Sequence, residues 1–303
     1  MDIRFSVVVC TYNREKYLGQ TLESIVAQNF PINDYELIIV DNNSTDYTEE
    51  ICDLIINKYQ EHQIRYIKEL QQGISFGRNR GVNESKGEII AFIDDDETIL
   101  PDYLSQLNIF FNNHLNAELC GGPVIPVYET TPPDWLSPYT MRLITGAYDK
   151  GSDIKIVGPK DYPGTGHATF KKNLFIKYGG FNINLGRKGS SLMGAEDKDF
   201  FLRLIENGVK CYYLPTAKIY HHIPPAKLTE DFFNRITYAI GKSERTRTLL
   251  ISKKSFYNRL FSEVIKWGAS FVLFAYYLLR FQYPKGKKLL QFRHNVTKGL
   301  LNK

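Results

Sequence analysis

The sequence predicts an α/β fold of the Rossmann-like kind, a mostly parallel sheet flanked by helices, with a helical appendage at its C-terminal end. Three observations predict it. Short β-branched runs alternate with stretches of helical period over the first hundred residues. The runs are apolar at nearly every position, as strands buried on both faces must be. Polar residues collect where each run stops, and open α/β sheets bind ligands at the carboxyl ends of their strands.

The elements follow in order. Residues 5–10 (Phe-Ser-Val-Val-Val-Cys) read as the first strand. From Glu15 to Gln28 the period becomes helical, with Leu18, Leu22, Ile25 and Val26 on one face. Residues 36–41 (Glu-Leu-Ile-Ile-Val-Asp) form a second strand, and Ser44 to Tyr59 a helix with Ile51, Leu54 and Ile55 inward. A third strand at 64–68, a helix at about 76–85 and a fourth strand at 88–93 complete the pattern. Beyond residue 120, seven prolines between 123 and 163 predict an irregular stretch suited to a lid or acceptor loop. In it Trp135, Tyr139 and Tyr162 suit either sugar stacking or lid packing, with packing the favoured role. A helix near 198–206 and a strand near 210–214 restore order. Two domains are expected, 1–225 and a helical segment 226–303, the latter with helices at 228–250 and 255–281.

With 43% apolar and 23% charged residues, the 303-residue chain can bury a core and is not a disordered polymer. A net charge of +5 does not indicate a nucleic-acid partner. The basic excess is local: residues 280–303 hold seven Lys or Arg and no acid. Cys10, Cys52, Cys120 and Cys211 are scattered, which argues against disulfides and zinc. The first residues run into a strand with no signal-like apolar stretch, so a cytoplasmic location is expected.

Several clusters suit chemistry. Asp94, Asp95 and Asp96 end a buried strand; three adjacent carboxylates repel one another, and a hard divalent cation relieves that repulsion. A solvated acidic turn is the bland alternative. Asp41 also ends a strand and suits either a base or ribose contact or a helix cap. The segment Thr11-Tyr12-Asn13-Arg14 and the loop Gly73 to Asn79, with Arg78, open helices and suit anions. Glu196 and Asp197 open a helix; they suit either its dipole or a general base. His221 and His222 follow the last strand, where one imidazole suits a metal and both suit structural roles.

These pieces, in this order, resemble the family-2 glycosyltransferases of the GT-A fold. The match runs from residues 6–14 through 40–46, Gly73 to Gly81, and Phe92 to Asp96. It continues at Gly179-Gly180-Phe181, residues 196–200 and Tyr220-His221-His222, covering about 4–225. The resemblance implies an inverting, metal-dependent hexosyl transfer from a nucleotide-sugar, with a UDP-sugar first by family frequency. It implies Thr11, Asn13, Arg14, Asp41, Gly73, Arg78, Asp94 and Asp95 as donor-binding residues. Asp96 with one of His221 and His222 would hold Mn2+ or Mg2+. Asp197 would be the base, with Glu196 close to the acceptor, a saccharide or lipid-linked saccharide of cell-surface polysaccharide assembly.

Trp267 to Leu279 is a charge-free run of thirteen residues, bracketed by Lys266 and Arg280. It is too short to cross a bilayer, which takes about 20 residues. A peripheral anchor on the inner membrane surface, aided by the basic tail, is therefore expected. Packing on the protein is the alternative for this run. No G-x-G-x-x-G follows the first strand, which argues against a dinucleotide oxidoreductase. A nucleotidylyltransferase would need a glycine-rich loop with Arg and Lys near the N-terminus, and none stands there. The surviving rival is a catalytically silent, membrane-bound sugar-binding or scaffold subunit.

Overall fold

The computed structural model describes residues 3–302. Met1, Asp2 and Lys303, at the ends of the two expected domains, lie outside them. The chain divides into two compact units. One comprises 1–126, 148–183 and 197–222; the other comprises 127–147, 184–196 and 223–303. The segment after 223 is thus grouped with two excursions from the first two-thirds of the chain.

The first unit opens with β1 (Phe5–Thr11), α1 (Leu18–Val26), β2 (Tyr35–Asp41) and α2 (Thr48–Lys58). Then come β3 (Ile64–Lys68), α3 (Ile74–Glu84), β4 (Ile89–Phe92), β5 (Glu97–Ile99) and α4 (Tyr103–Asn113). β6 (Leu119–Gly121) leads into β7 (Val124–Tyr128) and, in the second unit, α5 (Pro138–Thr145). β8 (Lys155–Val157), β9 (Ala168–Lys171), α6 (Asn173–Tyr178), α7 (Glu196–Glu206), β10 (Cys211–Tyr213) and β11 (Ile219–Ile223) follow. The large sheet has the order β3-β2-β1-β4-β9-β6-β10-β8, and a small one the order β5-β11-β7. β3, β2, β1 and β4 are parallel, while β9 is antiparallel to both of its neighbours.

Every residue of β1 and β2 is buried. Side chains alternate between sheet faces. Val7, Val9, Leu37 and Ile39 accordingly join one core cluster, while Val8, Cys10, Ile38 and Val40 join another. The all-apolar runs are therefore the mark of a sheet covered on both faces. One expectation fails: Leu54 is 65% exposed, and Cys52 takes the inward position on α2. All four cysteines are free and buried, and burial pushes the Cys10 thiol up to about 12. In the stretch read as irregular, Tyr162 stacks on Phe201 at 4.8 Å and so packs the core.

The second unit ends in three helices, α8 (Glu230–Ile251), α9 (Lys253–Leu279) and α10 (Tyr283–Leu301). The third was not expected from the sequence. α8 and α10 cross at two glycines: a Cβ on Gly241 would lie 2.1 Å from the Val296 carbonyl, and one on Gly299 would lie 2.2 Å from that of Tyr238. Only glycine permits that approach. The tail read as a basic surface is partly internal. Lys288 pairs with Glu230, and Arg293 Nη1 lies 3.0 Å from Glu263 Oε1. Among the described residues, no helix is long and apolar enough to cross a membrane.

Candidate active site

β2, β1 and β4 lie side by side and parallel, so their carboxyl ends bring three loops together. Backbone bonds knit the first two: Asn42 N donates to Thr11 O at 2.8 Å. Asn13 N donates to Ser44 Oγ at 2.9 Å, and Thr45 N to Asn13 Oδ1 at 2.8 Å. Asn13 and Asn43 adopt φ of 53° and 66°, a left-handed region that Asn enters more readily than most residues. Asp41 is fully buried; its Oδ1 accepts from Ser44 N at 2.9 Å and its Oδ2 from the Tyr66 hydroxyl at 2.7 Å. It therefore ties this loop together. Asn42 Oδ1 accepts from Gly73 N at 2.6 Å, which links the β2 end to the glycine loop before α3.

The third loop carries the aspartates. Arg14 Nε lies 3.1 Å from Asp95 Oδ1, and Arg14 Nη2 3.5 Å from Asp96 Oδ2. Arg78, itself buried, reaches Asp94 at 3.5 Å and Asp197 at 2.6 Å. Burial pushes the Asp95 carboxyl up to about 6, with Asp96 and Asp94 adding to the rise against the opposing Arg14. Asp95 in turn raises Arg14 further. Four carboxylates thus face two guanidiniums, and the excess charge is negative.

Asp197 stands in the first turn of α7. Both of its oxygens are held: Thr165 donates from N at 3.1 Å and from Oγ1 at 2.6 Å, and Arg78 adds its ion pair. Burial alone would raise this carboxyl. The Arg78 guanidinium, the Thr165 bonds and nearby His167 outweigh burial and hold it below the usual range. His167 Nε2 accepts from Gly164 N at 2.8 Å and closes the turn that presents Thr165. Gly166 sits against the site, since a Cβ there would lie 2.2 Å from the Asp94 carboxylate. Glu196, the residue before Asp197, is also buried. Successive helical residues point about 100° apart, so the two carboxyls serve different directions.

Thr165, His167 and Asn42 also build this constellation, and no sequence signal marks them for it. Thr165 and His167 stand in a loop with no periodic signal, and Thr165 meets Asp197 across 32 residues of chain. Asn42 stood inside a quoted motif without a role.

The histidines separate. His221 Nε2 lies 3.3 Å from Asp96 Oδ1. His222 turns to the other face of β11, with its Nε2 3.3 Å from Thr98 Oγ1 and 3.4 Å from Gln20 Nε2. Adjacent strand residues must face opposite ways, so Asp96, His221 and His222 do not form one set. Among the described residues, no group of three or more His, Cys, Asp or Glu side chains is gathered for a metal. Asp96 with His221, beside surplus negative charge, still fits a hard cation whose remaining ligands come from substrate phosphates and water.

Fold and site define a GT-A-type glycosyltransferase, and the comparisons agree. The profile of Glycosyl transferase family 2 matches residues 6–179, and the chain belongs to that family. It is 28% identical over 259 residues to the glucosyl-dolichyl phosphate glucuronosyltransferase of Haloferax volcanii, covering 84% of this chain and 80% of that protein. The poly(ribitol-phosphate) beta-N-acetylglucosaminyltransferase TarS of Staphylococcus aureus is 33% identical over 112 residues, 37% of this chain and 19% of that protein. Among solved structures, the mannosyltransferase PcManGT of Pyrobaculum calidifontis, in complex with GDP-Man and Mn2+, superposes with a TM-score of 0.65. It is 15% identical and covers 99% of this chain and 88% of its own. TarS 1–349 in complex with UDP gives 0.56 at 18% identity, covering 97% and 90%.

Proposed function

We propose that the protein transfers a hexosyl group from a nucleotide-sugar to a hydroxyl of a saccharide or lipid-linked saccharide, with inversion at the anomeric carbon. The observation that carries this reading is Asp197, held by Arg78 and Thr165 within reach of the Asp94–Asp96 loop. Thr11, Asn13 and Asp41 with its loop form the nucleoside end. Gly73, Arg78, Asp94 and Asp95 line the path of the ribose and diphosphate. Arg14, which holds Asp95 and Asp96, sets their positions.

Asp197 accepts the proton of the acceptor hydroxyl as that oxygen bonds to the anomeric carbon. The bond from that carbon to the diphosphate oxygen breaks in the same step, and its electron pair leaves with the nucleoside diphosphate. Glu196 takes the acceptor side. Arg78 has a double task. On Asp197 it suppresses basicity; when it turns to the diphosphate it stabilises the leaving group and frees the base to take a proton. Asp96 and His221 would hold Mn2+ or Mg2+, with His222 outside that set. When bound, the cation neutralises charge on the diphosphate.

The similar solved structures hold UDP in one case and GDP-Man in another, so a UDP-sugar leads a panel that includes GDP-sugars. The relatives named for lipid-linked and wall-polymer glycosylation support a role in cell-surface glycan assembly. Association with the cytoplasmic face of a membrane belongs to the same reading. Its support is the exposed rank of Phe261, Val264, Ile265, Phe271 and Val272 on α9. Residues 253–303 also carry eleven Lys or Arg against one acid, Glu263, which is buried.

The test is nucleoside diphosphate release from the panel with Mn2+, with and without a saccharide acceptor. Release from one donor, abolished by chelation and by Asp96→Ala, supports the transferase. Donor binding without release under every condition would replace it with the silent sugar-binding subunit.

A further inference from the structure

The second unit contains a cavity of about 740 Å³ between α9, α10 and the segment before α5. Its walls include Trp135, Trp267, Tyr283, Pro284 and Leu290. These are the only two tryptophans of the chain. Trp267 Nε1 donates to Thr297 Oγ1 at 2.9 Å, so the indole's one polar atom is engaged within the helices. The Trp135 ring packs edge-on against Phe233 at 5.3 Å, with Lys288 Nζ 4.7 Å from the Trp135 ring centre.

The polar lining is cationic in effect. Glu230 is paired with Lys288, and Gln291 is bonded to Asn234 at 2.7 Å and to Lys288 at 3.1 Å. Lys287 and His294 are exposed at the same cavity. A saccharide would want several neutral donors and acceptors; here those present already serve each other. An apolar chain ending in an anion fits better, with the aromatic rings, Pro284 and Leu290 for the chain and the Lys287 ammonium for the head. An exposed apolar ring also stands beside one wall of the cavity. The Trp267 ring lies 5.5 Å from that of Phe271, which is 56% exposed on the outer rank of α9. A lipid leaving a bilayer against that rank would meet Trp267 next.

We propose that this cavity binds the phosphate-bearing end of a lipid phosphate. The assignment rests on the lipid-linked acceptor proposed above, and gives it a holding site built from the C-terminal helices. Ligand binding here is a non-covalent step, so it can be read without sugar transfer.

Because both tryptophans line the cavity, the intrinsic fluorescence of the full chain reports on it directly. The experiment titrates the protein with farnesyl phosphate in monomeric solution, and separately with farnesol, inorganic phosphate and a disaccharide. The expected result is a saturable change with farnesyl phosphate, at least about tenfold tighter than with farnesol. Lys287→Glu, an exposed change that leaves the helices packed, should weaken it about five-fold, and added salt should weaken it further. An equal response to farnesol, saturation by inorganic phosphate or by the disaccharide alone, or no saturable change would each overturn the assignment. Trp135→Phe and Trp267→Phe, measured singly, must each keep part of the signal; if neither variant responds although both stay folded by circular dichroism, the assignment fails. Donor turnover on the same sample separates the two readings. Turnover without a fluorescence response sinks the cavity alone, and a response with no donor release under any acceptor condition sinks the transferase alone.

Discussion

The charge cluster at the sheet edge of the first unit and the one in the C-terminal helices of the second are built on opposite rules. At the carboxyl edge of the sheet, Asp94, Asp95, Asp96 and Asp197 meet Arg14 and Arg78, with His221 3.3 Å from Asp96. In the C-terminal helices, Glu244 and Glu263 are bracketed by Arg247, Arg259 and Arg293. There Glu244 meets Arg247 and Arg259 at 3.1 Å each, and Glu263 meets Arg259 at 2.7 Å and Arg293 at 3.0 Å. Each helix carboxylate has both oxygens occupied by guanidiniums. The sheet cluster sets four carboxylates against two guanidiniums. A cluster whose carboxylates are fully paired holds helices in register, and removing one member leaves a buried charge alone. An unbalanced one is poised to take up positive charge from outside, which is the electrostatic condition for a cation and its phosphates.

That contrast can be broken by mutation, beginning with the largest expected effect. Asp197→Asn keeps the shape and removes the base; transfer should fall about a hundred-fold to ten-thousand-fold, with donor binding and urea midpoint unchanged. If transfer persists, the base is elsewhere. Glu263→Ala should do the reverse, costing about 3–5 kcal/mol of stability in urea unfolding because the buried Arg293 loses its Glu263 pair and Arg259 keeps only Glu244. Donor turnover per folded molecule should hold steady; a catalytic loss at full folding would erase the distinction between the clusters.

A Gly241→Ala change tests how closely the helices that carry the paired cluster approach. The added methyl meets the Val296 carbonyl, and overpacking of this kind costs about 1–3 kcal/mol. An unchanged melting curve would mean that the α8–α10 crossing is looser than it stands here.

The pH profile sharpens the comparison from the other side. Burial pushes the Asp197 carboxyl up, and the guanidinium of Arg78, the Thr165 bonds and His167 together outweigh that push. The acidic limb of kcat/KM in the unaltered protein should therefore lie below the ordinary carboxylate value of about 3.9. In Arg78→Met, burial acts with less opposition, so the limb should move up in pH. A limb that stays put would show that Arg78 acts on the donor alone. The smallest effect is expected at the surface. Lys254→Glu should weaken cosedimentation with anionic vesicles by about 1 kcal/mol, less at high salt, while neutral vesicles should bind little of either form.

Most of the sheet was legible in the sequence because burial on two faces leaves a plain mark. β1 and β2 are apolar at almost every position, and the aspartates could only stand at strand ends. Family membership was legible for the same reason, since the motifs are the loops that those strands position. The parts that could not be read share a different cause. α10 hides from apolar periodicity because Lys288 and Arg293 are among its buried residues, and a charged residue reads as solvent-facing until its partner is known. Leu54 was placed inward by its type, although the groove beside α2 is filled by Cys52.

The sequence alone, then, determined the α/β class, the parallel strand run and the acidic strand end, because these depend on local periodicity and on which residues water rejects. Tertiary structure alone decided the rest. It set His221 rather than His222 against Asp96, put Thr165 and Arg78 on the two oxygens of Asp197, and gathered both tryptophans around one cavity. Each of those outcomes is a meeting between residues far apart in the chain, fixed by how elements pack, and no local pattern records it.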